Sequence, residues 1–348
     1  MDLLIFDMDG VLVDVSRSYR ETIRKTVLIY LERCLGFEMG KKEPISEEDI
    51  ALFKSAGGFN NDWDLTSGLL LYLLSTSGFP PSKKKKNFSS MEETLSDLRK
   101  RSSKIPRKMA RLRRPKSLSL FVNEVKSLGG GLKGVRKTVA GSWEGWLYRS
   151  GDLDQGNLIK RIFQEIYLGK QFTSYYRLQP IFYRGKGLYL REKLLIPRNI
   201  LSSLRKNVKM GIASGRPKFE AELALKRFRL LPYFDSVVTL DECMEEEDRI
   251  FRAKGKRISC SKPHPYSLLR VIREIAIPHP QCGYVGDVVD DMLAARAVKK
   301  TLSMVAIGFL SGLSHRKAMK RSLLGAGADV VVEHPNELLR LTSPSVSR

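Results

Sequence analysis

Cysteine is scarce in this chain. Its 348 residues hold four, Cys34, Cys243, Cys260 and Cys282, far apart and with no CxxC pair. Nothing here calls for a disulfide framework or a thiolate zinc site, and the pattern suits reduced, buried thiols in a cytoplasmic setting. The four histidines, His264, His279, His315 and His334, show no metal-ligand spacing. No apolar run approaches the roughly 18 residues of a membrane span; Leu69 to Leu74 reads as a piece of buried helix, and no membrane partner is expected. The opening residues lack the basic and apolar regions of a signal peptide. No repeat of fixed period is present. Acidic residues are outnumbered, 38 against 61 Lys and Arg, for a net charge of +23.

That charge is regional. Between Ser82 and Lys116 stand fourteen basic residues and three acids, Glu92, Glu93 and Asp97. The stretch 81–117 is Ser/Pro-punctuated and poor in apolar residues, which predicts a basic, flexible insertion with one loosely held helix near 91–101. It has the charge of a nucleic-acid contact but only Phe88 as an interleaved aromatic, so nucleic acid is a possible partner and not the favoured one.

What is present begins at once, in MDLLIFDMDGVLVD. The apolar run Leu3 to Phe6 reads as a buried strand. It ends in Asp7 and Asp9, two residues apart and hence on one side of a strand, where they repel unless a cation or a shared chemical task holds them together. A calcium loop fails, because Val11 stands where its third oxygen ligand belongs.

From residue 15 the periodicity is helical. Ser18 to Glu21 fits a capping box, with Ile23, Val27, Leu31 and Cys34 following; Ser46 to Asp49 starts a second helix and Trp63 to Leu74 reads as a third. Helical spacing returns in Leu118–Leu128 and Leu158–Leu168 around the turn Gly129–Gly131. Near residue 196 strands begin to alternate with helices. The expected strands are 209–214, 236–240, 283–287, 303–308 and 329–333, with helices at 199–205 and 218–228. This alternation predicts an α/β fold, a Rossmann-like parallel sheet covered by helices, with the lone first strand belonging to it. The expected domains are therefore an α/β core of residues 1–14 plus 196–348, and an inserted, enlarged helical cap of residues 15–195.

In such sheets ligands bind beyond the carboxyl ends of the strands. Those ends carry Asp7 and Asp9, then Ser214-Gly215, then Asp287, Asp290 and Asp291 in GDVVDD, while Ser261-Lys262-Pro263 precedes a helix. Phosphoryl transfer through an aspartyl intermediate needs this set. One carboxylate attacks phosphorus and a second moves the proton. Acidic side chains hold Mg²⁺, and Ser214 and Lys262 bind the remaining phosphoryl oxygens.

The four segments DMDGVLVD, IASGR, SKPHP and GDVVDD, in this order and at these separations, resemble the four motifs of the haloacid dehalogenase superfamily, over roughly 1–14 and 196–340. The resemblance implies Asp7 as nucleophile, Asp9 as acid/base, Ser214, Gly215 and Lys262 as phosphate ligands, and Mg²⁺ held by Asp7, the main chain of Asp9, Asp287 and Asp291, with Asp290 a neighbouring alternative. Asp9 is the residue that the dehalogenase branch lacks, so a phosphatase or a phosphomutase is implied. Val288 departs from the Ser or Thr that often follows the fourth motif's first aspartate. The insertion is similar to the helical cap of subfamily I, seen in phosphoglycolate phosphatases and sugar phosphomutases, whose Gly-containing loop reads the substrate. FKSAGGFNND occupies that place, making Lys54, Asn60 and Asn61 candidates, with Arg17 and Arg20 where the chain enters the cap. The expectation is a Mg²⁺-dependent phosphatase of a small phosphorylated metabolite, phosphoglycolate phosphatase-like. A phosphomutase of the β-phosphoglucomutase type or a nucleic-acid-binding protein on the same fold are the alternatives.

Overall fold

The side chains of Leu3–Phe6, strand β1, are all buried, as an unalternating apolar run requires: such a strand is covered on both faces, the usual state in parallel sheets. In the computed structural model the further strands are β2 (Val13–Asp14), β3 (Lys193–Leu194), β4 (Lys209–Ala213), β5 (Ser236–Val238), β6 (Cys282–Gly286), β7 (Met304–Phe309) and β8 (Val330–Val332). The residues described are 1–39, 43–59, 61–83, 88–105, 118–310 and 316–342. Asn60, His315 and the basic positions of 84–87 and 106–117 lie outside them.

Six strands form one sheet in the order β5-β4-β1-β6-β7-β8, every neighbouring pair parallel. β2 and β3 make a separate antiparallel pair. From β1 the chain proceeds to β4 and β5 on one side and then to β6, β7 and β8 on the other. The order therefore reverses at β1, the place where a parallel sheet opens a crevice at its carboxyl edge. The expected strand boundaries hold to within one residue except at one place. The strand at 236 stops at Val238, because Thr239 and Glu242 form a capping box (Thr239 N–H to Glu242 Oε2, 2.7 Å) that starts a helix at Leu240.

The chain divides into two units, Met1–Val15 with Lys193–Arg348, and Ser16–Glu192. The second is helical. Its helix Asp62–Thr76 is buried all round from Leu65 to Leu74, and the predicted capping box at Ser46 is formed with Asp49. The box expected at Ser18 is not. Ser16–Arg20 is a π-helical turn, and Ser18 Oγ donates to Glu192 Oε1 at 3.1 Å, which Tyr167 also reaches at 2.9 Å. Within the basic stretch, Met91–Ser102 is a helix that packs instead of lying loose. Met91, Thr94, Leu95 and Leu98 are buried; Arg101 stacks 4.4 Å from the centre of the Trp146 ring and donates to Ser82 Oγ and Gly145 O. A buried ion pair ties the far end of this unit. Arg161 Nε meets Glu165 Oε1 at 2.6 Å, and Glu165 also accepts the N–H groups of Ile181, Phe182 and Tyr183.

Candidate active site

Asp7 is the first residue past β1. Its N–H donates to Val285 O at 2.8 Å, extending the ladder between β1 and β6 by one rung, so its carboxylate stands at the carboxyl edge of the sheet and is buried. The chain then turns tightly, with the N–H groups of Leu12 and Val13 both donating to Met8 O and that of Gly10 to Val13 O at 2.8 Å. Gly10 sits at φ +78°, in the left-handed region. A Cβ there would lie 2.5 Å from Asp287 Cγ and nearer still to Oδ2. Glycine at this position is what lets the fourth motif's aspartate approach the first.

Asp287 follows β6, and Asp291 lies in the first turn of the helix Val289–Val298. One oxygen each of Asp7, Asp287 and Asp291 falls within 4.8 Å of the others, all three residues buried. Asp291 Oδ2 accepts the N–H of Asp287 at 3.1 Å and of Val288 at 3.2 Å, satisfying two donors at the helix start. Its Oδ1 accepts from Lys262 Nζ at 2.6 Å and Tyr284 OH at 2.8 Å. Lys262 comes from the loop ahead of the helix Tyr266–Ile275, and also meets Asp7 Oδ1 at 2.8 Å and Tyr284 OH at 2.9 Å.

Ser214 stands one residue past β4, where its N–H donates to Val238 O at 2.9 Å and its Oγ accepts the N–H of Arg216 at 3.1 Å. Open space borders Gly215. Arg216 has no exposed side-chain surface, and its Nε donates to Asp9 Oδ1 at 2.5 Å. The sequence reading missed two members of this set. Arg216 was visible in IASGR as a basic residue two positions past the serine; Tyr284 looked like one more residue of an apolar strand.

The electrostatics follow from burial. Asp7 is pushed up to about 7, first by burial, then by the neighbouring Asp291 and Asp9 carboxylates, against the pull of Lys262. Burial alone would lower Lys262, but Asp291 and Asp7 outweigh it and hold the ammonium well above its ordinary range. Tyr284 is also raised well above its usual value, by burial and then by Asp291, and stays a neutral phenol.

The remaining candidates belong to the helical unit. Asn61 caps Asp62–Thr76, its side-chain oxygen accepting from Asp64 N–H at 2.8 Å. Lys54 Nζ lies 3.1 Å from Asp62 Oδ1. The loop between them is clamped by Gly131, whose N–H donates to Gly57 O at 2.7 Å. Arg17 and Arg20 lie in the π-helical turn, Arg17 exposed. Asn60 lies outside the described residues; Asp290, which belongs to the α/β unit instead, stands in the first turn of Val289–Val298.

The sequence profile of haloacid dehalogenase-like hydrolases matches residues 178–299. A curated imidazoleglycerol-phosphate dehydratase of Phytophthora nicotianae is 22% identical over 318 residues; the match takes in 91% of this chain and 45% of that protein, so the chain spans about half of its length. Among solved structures, an X-ray structure from the Northeast Structural Genomics Consortium is similar with a TM-score of 0.58 at 20% identity, covering 98% of each chain. A phosphatase from Thermococcus thioreducens is similar with a TM-score of 0.52 at 21% identity, covering 93% of this chain and 99% of that one. Among the described residues no helix is long and apolar enough to cross a membrane. Residues 178–299 are thus similar in sequence to haloacid dehalogenase-like hydrolases, and the six-stranded parallel sheet, with acidic groups and Ser214 at its strand ends and Lys262 in a neighbouring loop, agrees with that likeness.

Proposed function

We propose that the chain is a Mg²⁺-dependent phosphatase that cleaves a small phosphate monoester through a phosphoaspartyl intermediate on Asp7. The observation that carries this reading is the contact of Lys262 Nζ with Asp7 Oδ1, 2.8 Å, inside a cluster of three buried carboxylates. A nucleophile must be ionised and aimed; the ammonium draws Asp7 toward its charged form against the effect of burial and holds one of its oxygens. Asp7 attacks phosphorus as the ester P–O bond breaks, and Asp9 gives its proton to the departing oxygen. Asp9 then takes a proton from water as the water oxygen bonds to phosphorus. The acyl phosphate bond breaks, phosphate leaves, and both aspartates are restored. Lys262, Ser214 and the main chain at Gly215 bind the phosphoryl oxygens, while Arg216 holds Asp9 in place.

The donor set fits a hard divalent cation: carboxylate oxygens gathered within 4.8 Å, with no sulfur or nitrogen among them. Asp7, Asp287 and the main-chain carbonyl of Asp9 would hold Mg²⁺, with Asp291 supporting Asp287 through its N–H. When bound, the ion offsets the negative charge of the phosphate and lets a carboxylate approach it. The four cysteines are free and buried, which supports a reducing, cytoplasmic setting.

Release of phosphate from a generic aryl phosphate with Mg²⁺, abolished by Asp7→Asn, is the expected result; turnover undiminished by that substitution refutes the mechanism. A panel of phosphorylated metabolites, phosphoglycolate included, then identifies the substrate. A requirement for a bisphosphate activator would mark a mutase instead. In the described part of the basic stretch, Arg101 stacks on Trp146 and Arg99 Nε donates to Arg33 O at 3.0 Å. Those arginines serve the packing of the helix, which favours the enzyme over a nucleic-acid binder.

A further inference from the structure

We propose that Tyr284 is a positioning residue for Lys262, and that its hydroxyl, with Asp291, aims the ammonium at the nucleophile. The proposal rests on the phosphatase reading and deepens it. An ammonium has three N–H donors, and all three of Lys262's have partners: Asp291 Oδ1 at 2.6 Å, Tyr284 OH at 2.9 Å and Asp7 Oδ1 at 2.8 Å. The first two partners lie on β6 and the helix after it, in a region with no exposed surface at either residue. Two fixed directions of a tetrahedral group determine the third. The third N–H therefore points to Asp7 Oδ1, the atom where the phosphoryl group arrives, and it is the one donor that can pass from carboxylate to phosphate without breaking the support.

The polarity of the triangle is also fixed. Tyr284 has one proton and donates it to Asp291 Oδ1 at 2.8 Å, which leaves an oxygen lone pair to accept from Lys262. Asp291 is occupied on both oxygens, with two donors on Oδ1 and two on Oδ2. A carboxylate offers about four acceptor positions, so Asp291 serves as the anchor of Lys262 and of the helix start, and direct metal contact falls to Asp7 and Asp287. A phenylalanine at 284 would hold Lys262 at only one point behind the nucleophile and let the ammonium rotate.

Tyr284→Phe keeps the buried ring and removes one oxygen. Equilibrium binding of inorganic phosphate to the Mg²⁺-loaded protein should weaken about ten- to a hundredfold, the size of one lost hydrogen bond to a charged group, with KM for an aryl phosphate rising by the same factor and kcat changing less. The loss should vanish when Lys262 is already Met, or Gln if the Met variant does not fold, because Tyr284 acts through that ammonium. A purely structural tyrosine would lower the melting temperature and show no such coupling. Phosphate affinity within twofold of wild type in folded Tyr284→Phe, or an equal loss with Lys262 substituted, overturns the proposal while hydrolysis by the wild type leaves the phosphatase reading standing. A wild-type protein that binds no phosphate overturns both.

Discussion

Replacing Gly10 by alanine isolates the close approach on which the acidic cluster depends. Two effects add. The residue sits at φ +78°, where an L side chain costs about 1–2 kcal/mol. Its Cβ would also stand 2.5 Å from Asp287 Cγ, whereas carbon atoms rest at about 3.5–4.0 Å. The carboxylate must therefore retreat by about 1 Å, away from residue 10 and out of its place in the acidic cluster. Backbone strain alone lowers the melting temperature by about 2–8 °C for a unit of this size. The displacement acts on chemistry more than on folding, since misplacing a group by about 1 Å can cost about 10²-fold in rate. Thermal melting, Mg²⁺ binding by calorimetry and aryl phosphate hydrolysis read the three consequences separately. Gly10→Ala should remain folded, bind Mg²⁺ more weakly and turn over about 10²-fold more slowly. Combined with Asp287→Asn it should add less than the sum of the two, because both act on one carboxylate. Wild-type metal affinity and turnover in Gly10→Ala would refute the claim that this glycine makes room for Asp287.

Other consequences follow from burial and pairing. Asp7, pushed up to about 7, keeps its proton in the folded state at pH values where unfolded aspartates have lost theirs, so the folded state binds more protons and stability falls as pH rises from about 4 to about 7, the deficit being complete above that. In chelator, Asp7→Asn should raise the melting temperature more at pH 8 than at pH 5; equal gains at both would contradict the buried, raised carboxyl. Glu165→Ala leaves Arg161 buried without its carboxylate, a loss of about 3–5 kcal/mol, to be read as a fall in the denaturant midpoint of the helical unit. Leu98→Ala, at a fully buried position of the basic helix, should cost about 2–5 kcal/mol, whereas a helix held loosely would lose almost nothing in the same unfolding assay.

The sheet could be read from the chain because burial on both faces leaves its own mark: LLIF, KMGIA and CGYVG are short apolar runs bounded by turn residues, and topology then brings whatever follows them to one edge. Other features depend on neighbours that no window contains. Ser18 has the spacing of a cap, yet its hydroxyl goes to Glu192, 174 residues away. The helix Met91–Ser102 carries a stripe at Met91, Leu95, Leu98 and Ser102, a pattern present in the text but outweighed there by the charge around it. Arg216 reads as a surface cation until Asp9, 207 residues distant, gives it a reason to be buried. Asp291 shows the limit most clearly. Its residue type follows from the chemistry and could be picked out by its place in GDVVDD. What it does depends on how many lone pairs remain, and that is settled by Lys262 from one loop, Tyr284 from β6 and two backbone N–H groups at the helix start. Lys262 lies 29 residues before Asp291, outside any local window, and only the fold brings it to that carboxylate.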